Sequence, residues 1–586
     1  MNTERIQKSI GRYQWKLFTF MLLAALTGFA SVAGATYSLT PSRSVQWQGN
    51  VGVQGDIPAR TAIYKTLSPS GGNDTTAIQT AISGCPSGQV VKLNAGTFNI
   101  SSPITVKSNV TLRGNGMGST IIKGMSGMSG TYVVGIGSGS GTGSAISLSS
   151  GLSKGSTTIT TATPHGWTPG TVILIDQLNN AGDDPPVTNV GNNGTCTWCG
   201  RASGARSLAQ SVKVLTVPTS TTATLEIPLY WSYDSTLSPQ GSSLTGLTTM
   251  AGIESLTVDN SLSGSSAQNN SGTILLNGTS NCWVLSTEVI GSYQSILEFN
   301  HGVYRNTIRN CKLHEGIPVT AGDGSASFAQ SRGYGLNSNL YTSANLIENN
   351  QIYHLSSGLM TAGPFSGNAV SYNYISGLYL NAINFDAYAI SFHGAHSFMN
   401  LVEGNYIDSR VASDHVWGTK SHNTFFRNKI AAAPNRTSGA WDLDIQFYSR
   451  YYNIIGNVLG KGSEGIYSLE NANSSSPAIY RFGYDGDGDS SASSNDSGVS
   501  STILRHGNWD TYTNGVVWNS NDDRTLPSSL YLSDKPSWWG NLQWPSIGPD
   551  MSPMYPAALG AGKGTPWNGN GSTTKLVSPP ILNPAK

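Results

Sequence analysis

The stretch NLIENNQI, Asn345–Ile352, reads as one rung of a stacked scaffold. Its first asparagine is followed by an apolar residue two positions on (Ile347), a second asparagine at five (Asn350) and an apolar residue at seven (Ile352). The same order recurs in NTIRNCKL from Asn306, where Cys311 takes the place at five, in NAVSYNYI from Asn368, in NLVEGNYI from Asn400 and in NTFFRNKI from Asn423. NIIGNVL, from Asn453, is one residue shorter. The starts at 306, 345, 368, 400, 423 and 453 are spaced by 39, 23, 32, 23 and 30 residues. The spacing of 23 fits a single turn of a parallel β-helix, and the longer ones fit a turn carrying a loop on one face.

The physics of a strand supports this. Alternate side chains point inward and outward, so short apolar–polar alternation builds one wall of a coil. Parallel coils stack about 4.8 Å apart, so equivalent residues form ladders. An asparagine at a coil corner can satisfy the backbone of the bend, tolerate left-handed geometry and bond the asparagine of the next coil. The pattern lacks the consensus of a leucine-rich solenoid.

Composition agrees. Charged residues are 11% of 586, while 69 are glycine and 38% are hydrophobic, which points to a folded chain rich in turns and strands. A formal net charge of +1 removes the electrostatic case for nucleic acid. At the N-terminus, Arg5, Lys8, Arg12 and Lys16 precede the apolar run LFTFMLLAALTGFA, then SVAGA with Ala33 and Ala35. This predicts a signal peptide over 1–35 and a secreted, periplasmic or cell-surface protein; a retained anchor is the rival. Without a second ligand pair, Cys196 and Cys199 of CTWC are expected to form a local disulfide or stay as free thiols.

One segment carries a family resemblance. GGNDTTAIQTAISGCPSGQVVKLNAGTFNISSPITVKSNVTLRGNG, Gly71–Gly116, resembles the opening of pectate-lyase-superfamily proteins of the polygalacturonase, rhamnogalacturonase and pectate-lyase type. Its marks are the Ala-Ile-Gln helix, Gly-x-Val-Val-x-Leu, Ala-Gly-Thr-Phe and Val-Thr-Leu-Arg-Gly. The resemblance implies a right-handed parallel β-helix, with Asp74–Ile82 as a helix capping the open end of its core. Hydrolases, lyases, epimerases and phage adhesins all use that fold, so it names no reaction.

The expected organisation is all-β. A lead-in at 36–70 precedes the first coils and capping helix at 71–135. A Gly/Ser linker and small β insertion fill 136–250, the main solenoid runs over 251–475, and a polar loop with a Trp- and Pro-rich flanking tail occupies 476–586. In that tail Trp538 and Trp539 could stack on sugar, or simply pack.

Chemistry is expected on the enlarged coils. DAYAISFHGAH, DHVWGTKSH and DLDIQFYSRY lead with Asp386, Asp414 and Asp442, 28 residues apart each time (414 − 386, 442 − 414). Coils in register would stack these carboxylates, raising one pKa or binding a metal. Asp444 would share the face of Asp442. Asp386, Asp414, Asp442, Asp444, His393 and Lys420 are the predicted catalytic set, and His396, His422 and Arg450 the predicted substrate contacts. His301, Glu315 and Asp323 are weaker candidates. Glu403 reads as scaffold, because Ser371 and Phe426 occupy its place in other repeats. The plain alternative is that the aspartates are turn residues and the histidines surface hydrogen-bonding groups.

These residues suit cleavage of an extended, pectin-like polysaccharide. In hydrolysis one carboxyl protonates the leaving oxygen and another activates water. FHGAH resembles the Gly-His-Gly segment of polygalacturonase-like hydrolases, but their other motifs are absent, so no role transfers by motif. A lyase would use Lys420 or Arg450 as base, with calcium held by the aspartates. No other cofactor is expected. Asp485, Asp487 and Asp489 have the spacing of a calcium loop without its closing glutamate. A non-catalytic, adhesive β-helix is the alternative of a different class. Beyond the polysaccharide no partner is implied: neither nucleic acid nor, after signal cleavage, membrane. Oligomeric state is open.

Overall fold

The computed structural model describes residues 37–555, apart from 129–130, 263–271, 293, 317–332, 379–386, 433–439, 462–467, 472–476, 486–494 and 520–522. The predicted signal segment, Asp323, Asp386, Asp487 and Asp489 lie outside the described residues. Two compact units are distinguished. In the smaller, the Tyr37 N–H donates to the Thr525 carbonyl at 2.8 Å. The larger unit, Leu39–Asn519 with Ser528–Lys586, holds everything that follows.

The larger unit is a right-handed parallel β-helix, as the repeat and the resemblance both imply. One coil runs from Tyr334–Ser343 in sheet III through Leu346–Glu348 in sheet I and Gln351–Tyr353 in sheet II. It returns to sheet III as β1 (Ser357–Thr361), beside Tyr334–Ser343. The next sheet III strands are β2 (Tyr388–Gly394), β3 (Arg410–Trp417), β4 (Trp441–Ile445) and β5 (Ala478–Phe482). Sheets I and II each reach 12 strands, so the walls are about 50 Å long at about 4.8 Å per coil. That is long enough for an extended ligand.

The repeat does what its spacing predicts. Ile308, Ile347, Val370, Val402, Phe425 and Ile454 stack in register in sheet I and are buried. Asn306, Asn345, Asn368, Asn400 and Asn423 form a ladder at the corner before them. Each Oδ1 from Asn345 onward accepts the backbone N–H and the amide N–H of the preceding asparagine, at 2.7–3.1 Å. A second ladder runs from Asn350 through Asn373, Asn405, Asn428 and Asn457 to Asn508. One detail departs from expectation. The left-handed residue is the one before the ladder asparagine: Arg305, Ala344, Met399 and His422 have φ of 53°, 58°, 57° and 52°. The asparagine satisfies the bend that its predecessor makes.

Helix α1 (Thr75–Gly84) buries Ile78, Ala81 and Ile82 in the same core as Ile104 and Val106, and so caps its end. After Val134–Ile136 in sheet III the chain leaves the solenoid, returning at Thr248–Thr249, beside Thr279–Ser280 of sheet III, and then entering sheet I at Gly252–Glu254. Between them lies a seven-stranded antiparallel sheet whose core around Ile173, Val212 and Leu225 also takes in Tyr304, Tyr341 and Phe398 of the solenoid. The tail from Ser528 lies against sheet I. There Ser529 Oγ and the Leu530 N–H donate to Glu403 at 2.5 and 2.8 Å, and Tyr531 OH donates to Glu348 at 2.5 Å. Glu403 thus anchors the tail. Trp539 is buried with its indole N–H on the Gln543 carbonyl, so it is a packing residue and not a sugar platform.

Candidate functional site

Sheet III sets which side chains share a wall. Ser391, Ala412, Asp444 and Arg481 are in one row across β2 to β5, while Phe392, Ser413, Ile445 and Phe482 form the adjacent inward row. The equal 28-residue spacing therefore does not place Asp442 beside Asp414. Val411 pairs with Leu443, so Asp414 is three residues past that pair and Asp442 one before it. Loops of unequal length explain this: successive row members are 412 − 391 = 21 and 444 − 412 = 32 residues apart. Both aspartates still belong to the outward alternation of sheet III.

Asp414 is the centre of a built cluster. Its Oδ2 accepts from Ser391 Oγ at 2.9 Å and from His393 Nδ1 at 2.8 Å. Its Oδ1 accepts the Val416 N–H at 3.1 Å and lies 3.7 Å from Lys420 Nζ. Lys420 Nζ also donates to the carbonyls of Asp414 and Gly418. Burial works against the charge on Asp414, but His393 and Lys420 outweigh it and hold the carboxyl well below its usual range. Burial pulls Lys420 down to about 8 against the opposing pull of Asp414. The carboxylate can only accept, so His393 carries its proton on Nδ1 and its Nε2 is the basic nitrogen. The His393 side chain is 28% exposed, against 2% for Asp414 and none for Lys420. The group positioned to meet a ligand is the histidine, with the carboxylate and ammonium behind it.

The other candidates lie elsewhere. Asp444 is buried and clamped: Arg481 donates Nε and Nη2 to it at 2.8 and 2.6 Å, and Gln446 Nε2 donates at 3.0 Å. Arg481 lies over the Trp441 ring at 3.4 Å, and Arg410 over the Tyr388 ring at 3.9 Å. Asp442 is buried and accepts the Ala432 N–H at 2.7 Å. His396 is buried between Thr419 Oγ1 (3.1 Å) and Ser421 Oγ (2.9 Å), and burial pulls it down to about 3, so it stays neutral. His422 stacks on Tyr451 at 5.0 Å, and burial holds it well below its ordinary value. Arg450 is paired with Asp496 and Asp184, all at 2.9 Å. His301 Nδ1 bonds Ser140 Oγ at 2.6 Å, and Glu315 bonds His354 Nδ1 at 2.6 Å. These groups are engaged within the protein, and those fully buried do not face a ligand.

Sequence reasoning passed over three features of this face. Ser391 was available from its i, i+2 relation to His393. Glu298, also on the outward face of sheet III, is buried and pushed up to about 8, with Asn337 and Asn339 amides on its Oε1. It is three strands from His393, about 14 Å, too far to act on the same bond. The insertion is the third. Asn192 and Asn193 N–H groups donate to the His415 and Val416 carbonyls at 3.0 and 3.2 Å, and Asn192 Oδ1 and Asp485 Oδ1 flank His415 Nδ1, each at 3.0 Å. A Cβ on Gly191 would come within 2.2 Å of the His415 carbonyl, so only glycine permits this approach. Cys196 and Cys199 form a disulfide beside it.

The described aspartates among those offered to calcium do not converge. Asp414, Asp442, Asp444 and Asp485 each accept from protein donors, and among the described residues no group of three or more His, Cys, Asp or Glu is placed to hold a metal. Cavities of about 470 Å³, at His165 and Lys213, and about 620 Å³, at Cys85 and Lys107, are not lined by these residues.

Residues 70–181 match the family described as rhamnogalacturonase A/epimerase, pectate lyase-like, in agreement with the resemblance of Gly71–Gly116. No curated protein matches the chain. Among solved structures, the tailspike gp49 of Pseudomonas phage LKA1 is similar at 17% identity, over 70% of this chain and 68% of its own, with a TM-score of 0.45. Gp54 tailspike of Acinetobacter baumannii bacteriophage AP22, in complex with A. baumannii capsular saccharide, is similar at 11% identity over 75% and 69%, TM-score 0.43. Polygalacturonase from Erwinia carotovora ssp. carotovora is similar at 10% identity over 78% and 93%, TM-score 0.31.

Proposed function

We propose that this exported β-helix binds an extended polysaccharide along the outer face of sheet III and cleaves its glycosidic bonds at His393. The observation that carries the reading is the His393–Asp414 pair: an accessible imidazole whose Nδ1 is held at 2.8 Å by a buried carboxylate. Asp414 fixes the tautomer and stabilises the imidazolium that forms when Nε2 takes a proton. Lys420 keeps Asp414 ionised behind it. The pectate-lyase-like match over 70–181 supports a carbohydrate ligand.

Hydrolysis is the first reading, with His393 moving the proton of the attacking water or of the leaving oxygen. The two-carboxyl form of that reaction needs a second open carboxyl beside Asp414. Asp444, on the next strand, is occupied by Arg481 and Gln446, so His393 takes the proton-transfer role. One accessible base also suits β-elimination from a uronate, which is the second reading. Incubation of the protein with a panel of acidic and neutral polysaccharides separates them. New reducing ends alone indicate hydrolysis, and reducing ends with ultraviolet-absorbing unsaturated products indicate elimination. His393→Ala should lower kcat by about 10²–10⁴. Binding without products, or a His393→Ala variant as fast as the native chain, would overturn the proposal. The export reading rests on residues 1–35 and is tested by sequencing the N-terminus of the mature protein.

A further inference from the structure

The insertion brings an aromatic residue to the same place. Trp198 lies in the Cys196–Cys199 disulfide loop and is 43% exposed, the one tryptophan among the exposed large apolar side chains of the described residues. Val190, on the strand paired with Thr195, is 50% exposed. Tryptophan is enriched where a protein meets other molecules, because its ring is large and apolar with one polar edge.

Its position is fixed by three sets of contacts. The Trp198 indole N–H donates to the Ala362 carbonyl at 3.1 Å. Trp198 meets the Trp417 ring edge-on, with centroids 4.7 Å apart. Trp417 in turn packs on an apolar cluster of Cys196, Cys199 and Ala395. The loop is pinned to β3 through the Asn192 and Asn193 bonds already described, and the Thr419 N–H donates to the Thr188 carbonyl at 3.0 Å.

This platform adjoins His393. Gly394, the next residue, pairs with Trp417 across β2 and β3. A Cβ on Gly394 would stand 2.1 Å from the Ala362 carbonyl, the group that accepts the Trp198 N–H. Trp198, carried by the insertion, therefore spans the coil of Ala362 and the coil of Trp417, on either side of Gly394, the residue after His393. With its polar edge used up, Trp198 offers a ring held in place before any ligand arrives. An anchored ring loses little side-chain freedom on binding.

We propose that Trp198, backed by Trp417, is a sugar-stacking subsite next to His393, which receives the apolar face of the pyranose ring beside the cleaved bond. The inference rests on the polysaccharide reading above. It makes the insertion a determinant of which sugar is accepted.

The test uses the full-length protein and a polysaccharide that the native chain binds or cleaves. Kd is measured by affinity electrophoresis, and KM and kcat wherever products form. Trp198→Ala and Trp198→Met should raise Kd or KM about tenfold with kcat little changed, the scale of one lost aromatic contact. Trp198→Phe, which keeps a ring face and loses the N–H, should bind within about twofold of native. Native-like affinity in Trp198→Ala overturns the subsite and leaves the polysaccharide reading standing. Equal losses in the Phe and Ala variants also overturn it, because the bond to Ala362 would then be what matters. A native chain that binds no polysaccharide overturns both.

Discussion

Lys420 reports whether Asp414 carries its charge, and Asp414→Asn makes that measurable. The two groups are 3.7 Å apart, which at an effective dielectric of about 20 corresponds to about 4–5 kcal/mol of attraction. All of it would be lost if Lys420 stayed charged in the variant. A cheaper route exists. Burial already pulls Lys420 down to about 8, so at pH 7 releasing its proton costs only about 1.4 kcal/mol. The smaller figure wins. The sign with pH follows from linkage. An unfolded lysine titrates at 10.5, so as pH falls from there the unfolded chain binds the proton first and both proteins lose stability. The native chain stops losing near pH 8, when its Lys420 is protonated. The variant continues to lose about 1.4 kcal/mol per pH unit. The gap between them should be near zero at pH 9 and about 1.4 kcal/mol at pH 7. Loss of the Ser391 and His393 hydrogen bonds adds an offset of its own, which the double variant below carries as well. Urea unfolding followed by far-ultraviolet circular dichroism reads the gap. A gap that does not change between pH 9 and 7 would falsify the coupling. So would the same widening in Asp414→Asn/Lys420→Met, which has no lysine to titrate there.

Asn400→Ala should break the corner ladder: Asn400 Oδ1 accepts two bonds from Asn368, and Nδ2 donates to Phe365 and Asn423. Leaving those buried groups without partners costs about 1–3 kcal/mol each, so amide exchange should accelerate in the coils on either side, while an unchanged pattern would show the ladder to be dispensable. Burial pushes Glu403 up to about 7 from 4.5, so the native tail contact weakens as pH rises from about 4.5 to 7, by about 3 kcal/mol at most. Glu403→Gln removes the charge while its oxygen can still accept the Leu530 N–H and its amide can donate to Ser529 Oγ. Limited proteolysis should then cut the tail beyond Ser528 faster at pH 8 than at pH 5 in the native chain, and equally at both in the variant.

The scaffold was legible because its determinants repeat. Ile347, Val370 and Val402 announce a core position by recurring at the same offset from an asparagine, and each burial supports the next. Asn345 and Asn368 are legible for a related reason, since a buried amide needs an identical neighbour above and below it. The left-handed residue before each asparagine was not legible: Arg305, Ala344, Met399 and His422 share no side-chain chemistry, and the asparagine after them makes their geometry affordable. Trp198 was hidden differently. In CTWC the cysteines attract attention, yet the tryptophan between them reaches β3, through an insertion whose docking no local pattern encodes.

The site shows why spacing alone misplaces chemistry on a solenoid. Asp386, Asp414 and Asp442 are evenly spaced in sequence, and an even spacing implies a ladder only if every coil has the same length. Here loop length varies from coil to coil, so register is set by inward residues such as Val411 and Leu443, whose burial tolerates no slip. Outward residues inherit that register whatever their spacing. Counting from the nearest inward pair puts Gln446 opposite Asp414 and Arg410 opposite Asp442. It leaves His393 as the partner Asp414 meets across β2 and β3. On such a wall the side chains that meet across coils are found by aligning cores first and reading the outward positions second. That order gives an imidazole backed by a carboxylate, not a column of carboxylates that would repel one another.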